Sequence, residues 1–281
     1  MFLLADSGST KTTWTLLEKG EVKKSILTPG LNPYFHTSES IEAVLMADLV
    51  PEVVPDDIRN IWFYGAGCST ENKNALLRDS MRLFFRNTGI SIFHDILGAA
   101  RALLGREEGI ACILGTGCNS CYYDGTEIYM KVPSLGYLFG DEGAGSNIGK
   151  RFMELYLKDR LPGDLRNAFD ETYRLTLEDI LNSLYNRPSP NRFLASFSEF
   201  IAPRQDHPLL HELVRSSLMA FFDEQVKRYD NYREVPVSFV GSIAFHYREI
   251  LLEAASVNGV TVGKILQSPM PGLIAFHTKG E

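Results

Sequence analysis

The chain has 281 residues, 44% hydrophobic and 22% charged, as is typical of a globular protein with room for two modest domains. A net charge of −7 and the lack of a dense lysine–arginine run argue against nucleic-acid binding. The apolar start ends at Asp6, too early for a signal peptide or membrane span, so we expect a cytoplasmic protein with no membrane partner.

The first third of the chain predicts a three-stranded meander followed by alternating helices and strands. A turn of small residues joins the first two strands, and Lys19-Gly20 joins the next two. The predicted elements are strands over 2–6, 12–17 and 22–27, a helix over 41–49, a strand over 58–64, a helix over 72–87, a strand over 90–94 and a helix over 96–104.

A second meander repeats this plan, with Asp124-Gly125 as its hairpin turn. The remaining predicted elements are strands over 110–114, 118–123 and 126–132, helices over 144–158, 176–186, 192–201 and 208–229, a strand over 235–240 and helices over 245–256 and 269–277. The repeat predicts two related α/β lobes, a boundary near 105–109 and a ligand cleft between the lobes.

The turn after the first strand is a candidate phosphate site. Glycine lets the backbone approach a phosphate, and successive amides form an anion-binding concavity. Asp6, at the end of a buried strand, is placed to hold a hydrated Mg²⁺. The alternative is a tight turn with a cap. The candidate residues are Asp6, Gly8, Ser9, Thr10 and Lys11.

The equivalent turn of the second meander has the same chemistry. One glycine-threonine turn is weak support, but two on matching hairpins favour a grip on a polyphosphate. We therefore predict ATP and Mg²⁺ as ligands. The candidate residues of the second turn are Gly115, Thr116, Gly117 and Asn119.

Asp95 follows a predicted buried strand and precedes a predicted helix. It is either the N-cap of that helix or a general base that takes the proton of an attacking hydroxyl, as kinases require.

Two further loops combine glycine with polar residues. Asp141 and Glu142 lie between glycines and suit hydrogen bonds to sugar hydroxyls or a metal-bound water, although helix capping is the alternative. Gly241 and Ser242 end a strand before a helix, which suits a flat adenosine ring but is also common in ordinary βα loops.

Cys118 and Cys121 have the Cys-x-x-Cys spacing that can mark a zinc site. Such a site needs a second pair, which Cys68 and Cys112 do not supply at metal-ligand spacing. Positions three apart on a strand face opposite sides, which favours packing thiols. Without an export signal, all four cysteines are expected to be reduced.

Taken in this order, these elements resemble the superfamily of sugar kinases, acetate kinase, actin and heat-shock chaperone ATPases. The finer resemblance is to the N-acetylglucosamine kinase branch, grouped with the BadF/BadG/BcrA/BcrD ATPase family, and it covers essentially the whole chain. The segments that carry it are Gly115-Thr116-Gly117-Cys118-Asn119, Gly140-Asp141-Glu142-Gly143, Gly241-Ser242-Ile243-Ala244-Phe245 and Pro269-Met270-Pro271-Gly272-Leu273.

The resemblance implies two lobes of a duplicated ribonuclease H-like, actin-like ATPase fold, each with a mixed sheet flanked by helices. It assigns 1–106, joined by 268–281, to the first lobe and 107–267 to the second. It also implies a homodimer.

The implied activity is phosphorylation of N-acetylglucosamine or a related amino sugar or hexose by MgATP, held between the two hairpins, with Asp95 as general base. Tyr137 stands where the animal enzymes commonly carry a tryptophan, which bears on the sugar. Two alternatives are an ATPase activator of a partner reductase or dehydratase, and a non-catalytic nucleotide or sugar sensor. The implied sugar contacts are Asn32, Gly65, Ala66, Gly136, Tyr137, Asp141 and Glu142.

Overall fold

The computed structural model of the chain describes residues 1–8 and 10–278. It contains two compact units, one of Met1–Arg106 and Pro269–Glu281 (unit 1) and one of Glu107–Ser268 (unit 2). Ser268, which the sequence predicts in the first lobe, lies in unit 2. The candidate residue Ser9 and the last three residues of the predicted segment 268–281 lie outside the described residues.

The elements follow the chain in alternating strands and helices. Those of residues 1–106 are β1 (Phe2–Ser7), β2 (Lys11–Glu18), β3 (Glu21–Pro29), α1 (Ser38–Val44), β4 (Asn60–Gly65), α2 (Glu71–Arg82), β5 (Gly89–His94) and α3 (Asp95–Leu104).

Those that follow are β6 (Gly109–Leu114), β7 (Cys118–Tyr123), β8 (Ile128–Lys131), α4 (Gly136–Phe139), α5 (Gly145–Leu157), α6 (Gly163–Tyr173), α7 (Leu177–Tyr185), α8 (Pro190–Ser196), α9 (Ser198–Ile201), α10 (Pro208–Glu224), β9 (Val237–Val240), α11 (Ser242–His246), α12 (Arg248–Val257), β10 (Val262–Leu266) and α13 (Met270–Thr278).

Each unit is built on one five-stranded mixed sheet. The sheet of unit 1 has the order β3-β2-β1-β4-β5, with an antiparallel β1–β2–β3 meander and β4 and β5 added in parallel. The sheet of unit 2 has the order β10-β9-β6-β7-β8 and the same directions. The repeated topology confirms the predicted fold class of two related α/β lobes.

The first four residues of the central strand β1 are apolar because both faces of the strand are covered. Leu3 and Ala5 are fully buried in a cluster that contains residues of α1 and α2. Phe2 and Leu4 point the other way and pack with residues of α3 and α13. Strand β1 therefore lies in the middle of unit 1, and its end at Ser7 lies where the candidate residues begin.

Several predicted helices are shorter than the apolar spacing indicated. The helix predicted over 72–87 ends at Arg82, because Phe84 and Phe85 are placed by a tight turn whose amides both bond to the carbonyl of Met81. The helix predicted over 41–49 ends at Val44 and continues as a π-helical turn. The helices predicted over 192–201 and 245–256 each form two pieces, α8 with α9 and α11 with α12.

Three elements were not predicted at all. Helix α6 buries only Leu165 and Phe169, with Ala168 and Tyr173 partly buried beside them. Strand β10 is an edge strand with partly exposed residues, and α4 is a single turn. Phe169 nevertheless anchors α6 firmly, since its ring packs on four aromatic neighbours from α5, α8–α9 and their junctions.

No helix in residues 1–8 and 10–278 has both the length and the apolar character needed to cross a bilayer.

A polar cluster attaches α13 to the sheet of unit 1. Arg101 on α3 donates to the hydroxyl of Tyr64 at 2.8 Å, and that hydroxyl lies 2.9 Å from Nε2 of His277. Because Arg101 can only donate, we assign the tyrosine proton to the bond with His277, which must then be neutral. The ring of His277 also stacks on Trp62 at 4.3 Å. Burial, followed by the charge of Arg101, lowers the pKa of His277 to about 4.

The His277→Gln substitution should make unfolding less sensitive to acid. Between pH 6.5 and 4, His277 becomes protonated in the unfolded chain but stays largely neutral in the folded protein. The unfolding free energy of the wild type therefore falls as pH falls. Glutamine keeps an acceptor for Tyr64 but does not titrate. We expect the wild type to lose about 2 kcal/mol more than the variant between pH 7 and pH 4. Urea unfolding at both pH values measures the difference.

The exposed His246 supplies a control. The variant His246→Gln should follow the wild-type profile, and parallel profiles for His277→Gln and wild type would contradict the assignment.

Candidate functional site

The candidate residues of unit 1 meet at one edge of its sheet. Strands β1, β4 and β5 are parallel neighbours, and their registers pair Ser7 with Gly65 and Gly65 with His94. Their carboxyl ends therefore lie side by side, as in other sheets where ligands bind at this edge. The alignment brings Asp6, Gly65 and Asp95 into one neighbourhood.

Asp6 is mostly buried, and none of the described residues donates a hydrogen bond to its carboxylate. Burial raises its pKa to about 7, the negative charge of Asp95 adds to this rise, and Lys11 opposes it. Asp6 and Asp95 are thus close enough to repel each other, and a cation beside Asp6 would relieve that repulsion.

The geometry at Asp6 fits a magnesium ion delivered with a nucleotide. Among the described residues, no group of three or more His, Cys, Asp or Glu side chains could hold a metal. Mg²⁺ in phosphate-transfer sites is usually held by one or two carboxylates together with phosphates and waters, so a single unpaired carboxylate is sufficient.

Asp95 is the first residue of α3, and His94 occupies the N-cap position. Asp95 is therefore the first helical residue, and its carboxylate still accepts a hydrogen bond from a helix amide. Oδ1 of Asp95 lies 2.7 Å from the amide nitrogen of Ile96 and 2.5 Å from Nδ1 of His94. Its Oδ2 has no hydrogen-bond partner among the described residues, so one carboxylate oxygen is open to a ligand.

Asn32 and the loop after β4 are fitted together. Oδ1 of Asn32 accepts a hydrogen bond from the amide of Tyr34 at 3.0 Å. Gly67 has φ +83°, and a Cβ there would lie 2.2 Å from the same oxygen. Only glycine fits at this position, so the close approach of the loop fixes Asn32 with its Nδ2 as the remaining donor.

Cys68 lies beside this loop. From the sequence we predict only that its thiol is reduced and that it does not complete a zinc site. Its Sγ would lie 2.8 Å from a Cβ added at Gly65. Burial, followed by the charge of Asp95, raises the pKa of the thiol to about 12. Cys68 is therefore a neutral packing group that limits the space beside Gly65 and Ala66.

The first hairpin turn presents its residues to solvent. The amide of Gly8 donates to the carbonyl of Lys11 at 3.0 Å and closes the turn. Below it, Ser7 is bonded to Thr12 and to the amide of Leu31. The base of the turn is thus fixed, while Gly8, Thr10 and Lys11 are exposed.

The second hairpin turn is held by the start of α5. The amides of Gly145 and Ser146 donate to the carbonyls of Gly115 and Thr116 at 2.8 and 3.0 Å. The amide of Gly115 bonds to the carbonyl of Gly117 at 3.0 Å and closes the turn. The turn therefore cannot shift unless α5 shifts too.

Asp141 stabilises the C-terminal end of the same turn. Its Oδ1 accepts a hydrogen bond from the amide of Cys118 at 2.9 Å, and a Cβ at Gly117 would lie 2.9 Å from that oxygen. The side chain is only 6% exposed, and burial, opposed by the Cys118 bond, raises its pKa. Its backbone has φ +59°, which Asp tolerates better than most residues. The structure thus gives Asp141 a contact within the protein that the sequence did not predict.

The other residues around this turn are placed as follows. Glu142 is half-buried next to Asp141. Asn119 is 8% exposed, and its Oδ1 accepts from the amide of Ser120 at 3.0 Å. Gly136 and Tyr137 form α4, where the carbonyl of Tyr137 accepts from Lys150 of α5 at 3.3 Å.

The loop after β9 packs directly on the start of the second turn. Gly241 has φ +127°, and a Cβ there would lie 2.2 Å from the carbonyl oxygen of Leu114. Its amide donates to Leu266 at 2.9 Å, and Ser242 beside it is exposed. The predicted phosphate turn and the predicted adenosine loop of unit 2 are therefore in contact.

The cysteine pair of β7 belongs to the interior. Cys118 and Cys121 are both buried, and burial raises the pKa of the Cys118 thiol well above its usual range. Such neutral, buried thiols are poor nucleophiles.

A solved structure from Porphyromonas gingivalis, described as a candidate N-acetylglucosamine kinase, is 43% identical, with a TM-score of 0.96 over 100% of this chain and 99% of that one. Another candidate N-acetylglucosamine kinase, from Chromobacterium violaceum, is 15% identical, with a TM-score of 0.71 over 98% and 99% of the two chains.

A ROK family glucokinase from Streptomyces griseus, solved with glucose and AMPPNP, is 13% identical, with a TM-score of 0.60 over 98% of this chain and 97% of that one. The Chromobacterium and Streptomyces similarities show the fold alone. No protein-family model and no curated protein matches the chain.

The Gly241→Ala substitution should destabilise the protein by about 2–4 kcal/mol, because the new methyl group would meet a backbone oxygen and the backbone angle disfavours alanine. Denaturant unfolding measures this loss. Gly163→Ala is the matched control, since a Cβ at Gly163, the first residue of α6, has nothing within 4 Å. Equal stabilities for the two variants would contradict the close packing.

The Asp6→Asn substitution should stabilise the metal-free protein at alkaline pH. Between pH 3.8 and 7 the folded protein keeps a proton on Asp6 that the unfolded chain has released, so its unfolding free energy falls as pH rises through this window. Asparagine does not titrate, and we expect a gain of about 3 kcal/mol at pH 8 and almost none at pH 4. Unfolding in EDTA measures both, and an equal effect at the two pH values would refute the burial of a charge.

Proposed function

This chain belongs to the N-acetylglucosamine kinase-like family of the sugar kinase, acetate kinase, actin and heat-shock chaperone ATPase superfamily, and from this we propose that it phosphorylates N-acetylglucosamine or a related amino sugar at the expense of ATP. The family membership supports the reaction class. The identity of the sugar is the narrower part of the proposal.

The observation that carries the proposal is the state of Asp95. One oxygen of its carboxylate is anchored by neighbouring donors, and the other is open at the edge of the sheet. In the proposed reaction the open oxygen accepts the proton of a sugar hydroxyl as the hydroxyl oxygen bonds to the γ-phosphorus and ADP leaves. A protein that only bound nucleotide or sugar would have no use for such a base.

Sugar recognition within unit 1 is proposed for Asn32 and the 65–67 loop. Since Oδ1 of Asn32 is committed to Tyr34, the side chain offers Nδ2 as a donor to a hydroxyl or acetamido oxygen. The loop supports this orientation because the missing side chain at Gly67 leaves space for Oδ1 of Asn32. Residues of unit 2 proposed to contact the sugar are Gly136, Tyr137, Asp141 and Glu142.

Nucleotide binding is proposed for both hairpin turns and for the loop after β9. MgATP supplies the phosphoryl group, and Asp6 would hold the metal. The contact of Gly241 with Leu114 supports a common site in unit 2 for the ring-binding loop and the phosphate turn. Asp141 keeps that turn in place through the amide of Cys118.

Coupled ADP-release assays over hexoses and amino sugars test the proposal. We expect ATP turnover that depends on N-acetylglucosamine or a close analogue. The Asp95→Asn substitution should lower kcat by about 10²–10⁴-fold, since the amide cannot take the proton. The matched control is Asp79→Asn on the exposed side of α2, which should leave kcat unchanged. A rate of ATP hydrolysis that no sugar changes, or near wild-type turnover by Asp95→Asn, would contradict the proposal.

A further inference from the structure

We propose that His94 is a positioning residue for the reaction: it holds Oδ1 of Asp95 and thereby selects Oδ2 as the oxygen that takes the proton from the sugar. This inference rests on the proposed kinase function and deepens it. No local sequence pattern indicates this contact, which depends on the junction between β5 and α3.

The geometry requires a proton between the two side chains. Nδ1 of His94 lies 2.5 Å from Oδ1 of Asp95, a distance at which two lone pairs would repel strongly. An ionised carboxylate is an acceptor only, so the hydrogen must belong to Nδ1. We therefore assign the tautomer or charge state of His94 in which Nδ1 donates to Oδ1.

The amide of Ile96 then has only one good acceptor. It lies 2.7 Å from Oδ1 of Asp95 and 3.3 Å from Nδ1 of His94, and a protonated Nδ1 cannot accept. Both donors therefore converge on Oδ1. A carboxylate held by one donor can turn about its Cβ–Cγ bond, whereas two donors in different directions fix its plane. Oδ2 is left facing away from both of them.

Asp95 needs such an anchor because of its neighbour Asp6. Burial, followed by the negative charge of Asp95, raises the pKa of Asp6, so the two carboxylates repel each other. A second donor on Oδ1 resists rotation of the Asp95 carboxylate under this repulsion. Both His94 and Asp95 are largely shielded, with 21% and 24% of their side chains exposed, so water weakens their contact only in part.

The direction of the His94 ring supports a role beyond capping. The N-cap position of α3 would ordinarily be filled by Ser, Thr, Asp or Asn, whose short side chains accept from the first amides of the helix. His94 has the extended backbone of a cap, φ −67° and ψ 144°, but its ring is directed at the neighbouring carboxylate. The amide that a cap would satisfy is satisfied by Asp95 instead.

Two substitutions separate positioning from capping. His94→Gly removes the donor but leaves a backbone that tolerates the cap position. His94→Asn keeps a favoured cap and offers an amide donor close to the place of Nδ1. We expect His94→Gly to lower kcat by about 10–100-fold with the KM values for sugar and ATP changed by less than about threefold, because a misplaced base slows the chemical step rather than binding. His94→Asn should restore kcat to within about threefold of the wild type.

The controls use the same assay and a thermal melt of each variant. His211→Asn, on the partly exposed surface of α10, should leave kcat unchanged. Should His94→Gly not fold, His94→Asp replaces it, since aspartate caps as well as asparagine but has no donor.

Each outcome decides between the roles. An unchanged kcat in His94→Gly overturns the inference while the kinase function stands. A raised KM for the sugar with unchanged kcat also overturns it, because His94 would then be a sugar contact. Equal loss in His94→Gly and His94→Asn overturns it in favour of a requirement for the imidazole itself. A wild type without sugar-dependent ADP release overturns the proposed function, and the inference with it.

Discussion

The parallel alignment of β1, β4 and β5 is the constraint on which the chemistry of unit 1 depends. It ends three strands at the same edge and so brings Asp6 and Asp95 together in a mostly buried place, where two negative charges are costly. The pairing of the strands offsets the free-energy cost of holding these two carboxylates close together. A cation and a phosphate are the partners that would remove the cost, so the unfavourable pair is best understood as a preparation for ligand binding.

In unit 2 the main constraint is on the position of the glycine-rich turn at 115–117. Two of the three residues at 115–117 are glycines, and neighbouring groups hold the turn in place. The amides at the start of α5 bond to its carbonyls, Asp141 bonds to the amide that follows it, and Gly241 packs on the residue that precedes it. Because these contacts are made to main-chain atoms, the position of the turn is fixed even though its residues are small.

The sequence predicted the parts of the fold that rest on local patterns. The two meanders were visible because alternating apolar strands and small-residue turns repeat, whereas α6 was not, because it buries only two side chains. The same division holds for the candidate site. Asp6, Asp95 and the glycine turns stand out by type and place. The pairing of His94 with Asp95, the Asn32–Gly67 fit and the grip of Asp141 on the Cys118 amide depend on tertiary distances that no local pattern encodes.

The docking of α13 has a consequence for the way the chain is made. Phe2, Leu4 and Tyr64 are covered by Met270 and Leu273, which lie more than two hundred positions later in the sequence. During synthesis this face of the first sheet is not covered by α13 until α13 itself has been translated. Unit 2 is contiguous and can complete its core first. The packing of Phe2 and Leu4 is therefore completed only after unit 2 has been translated.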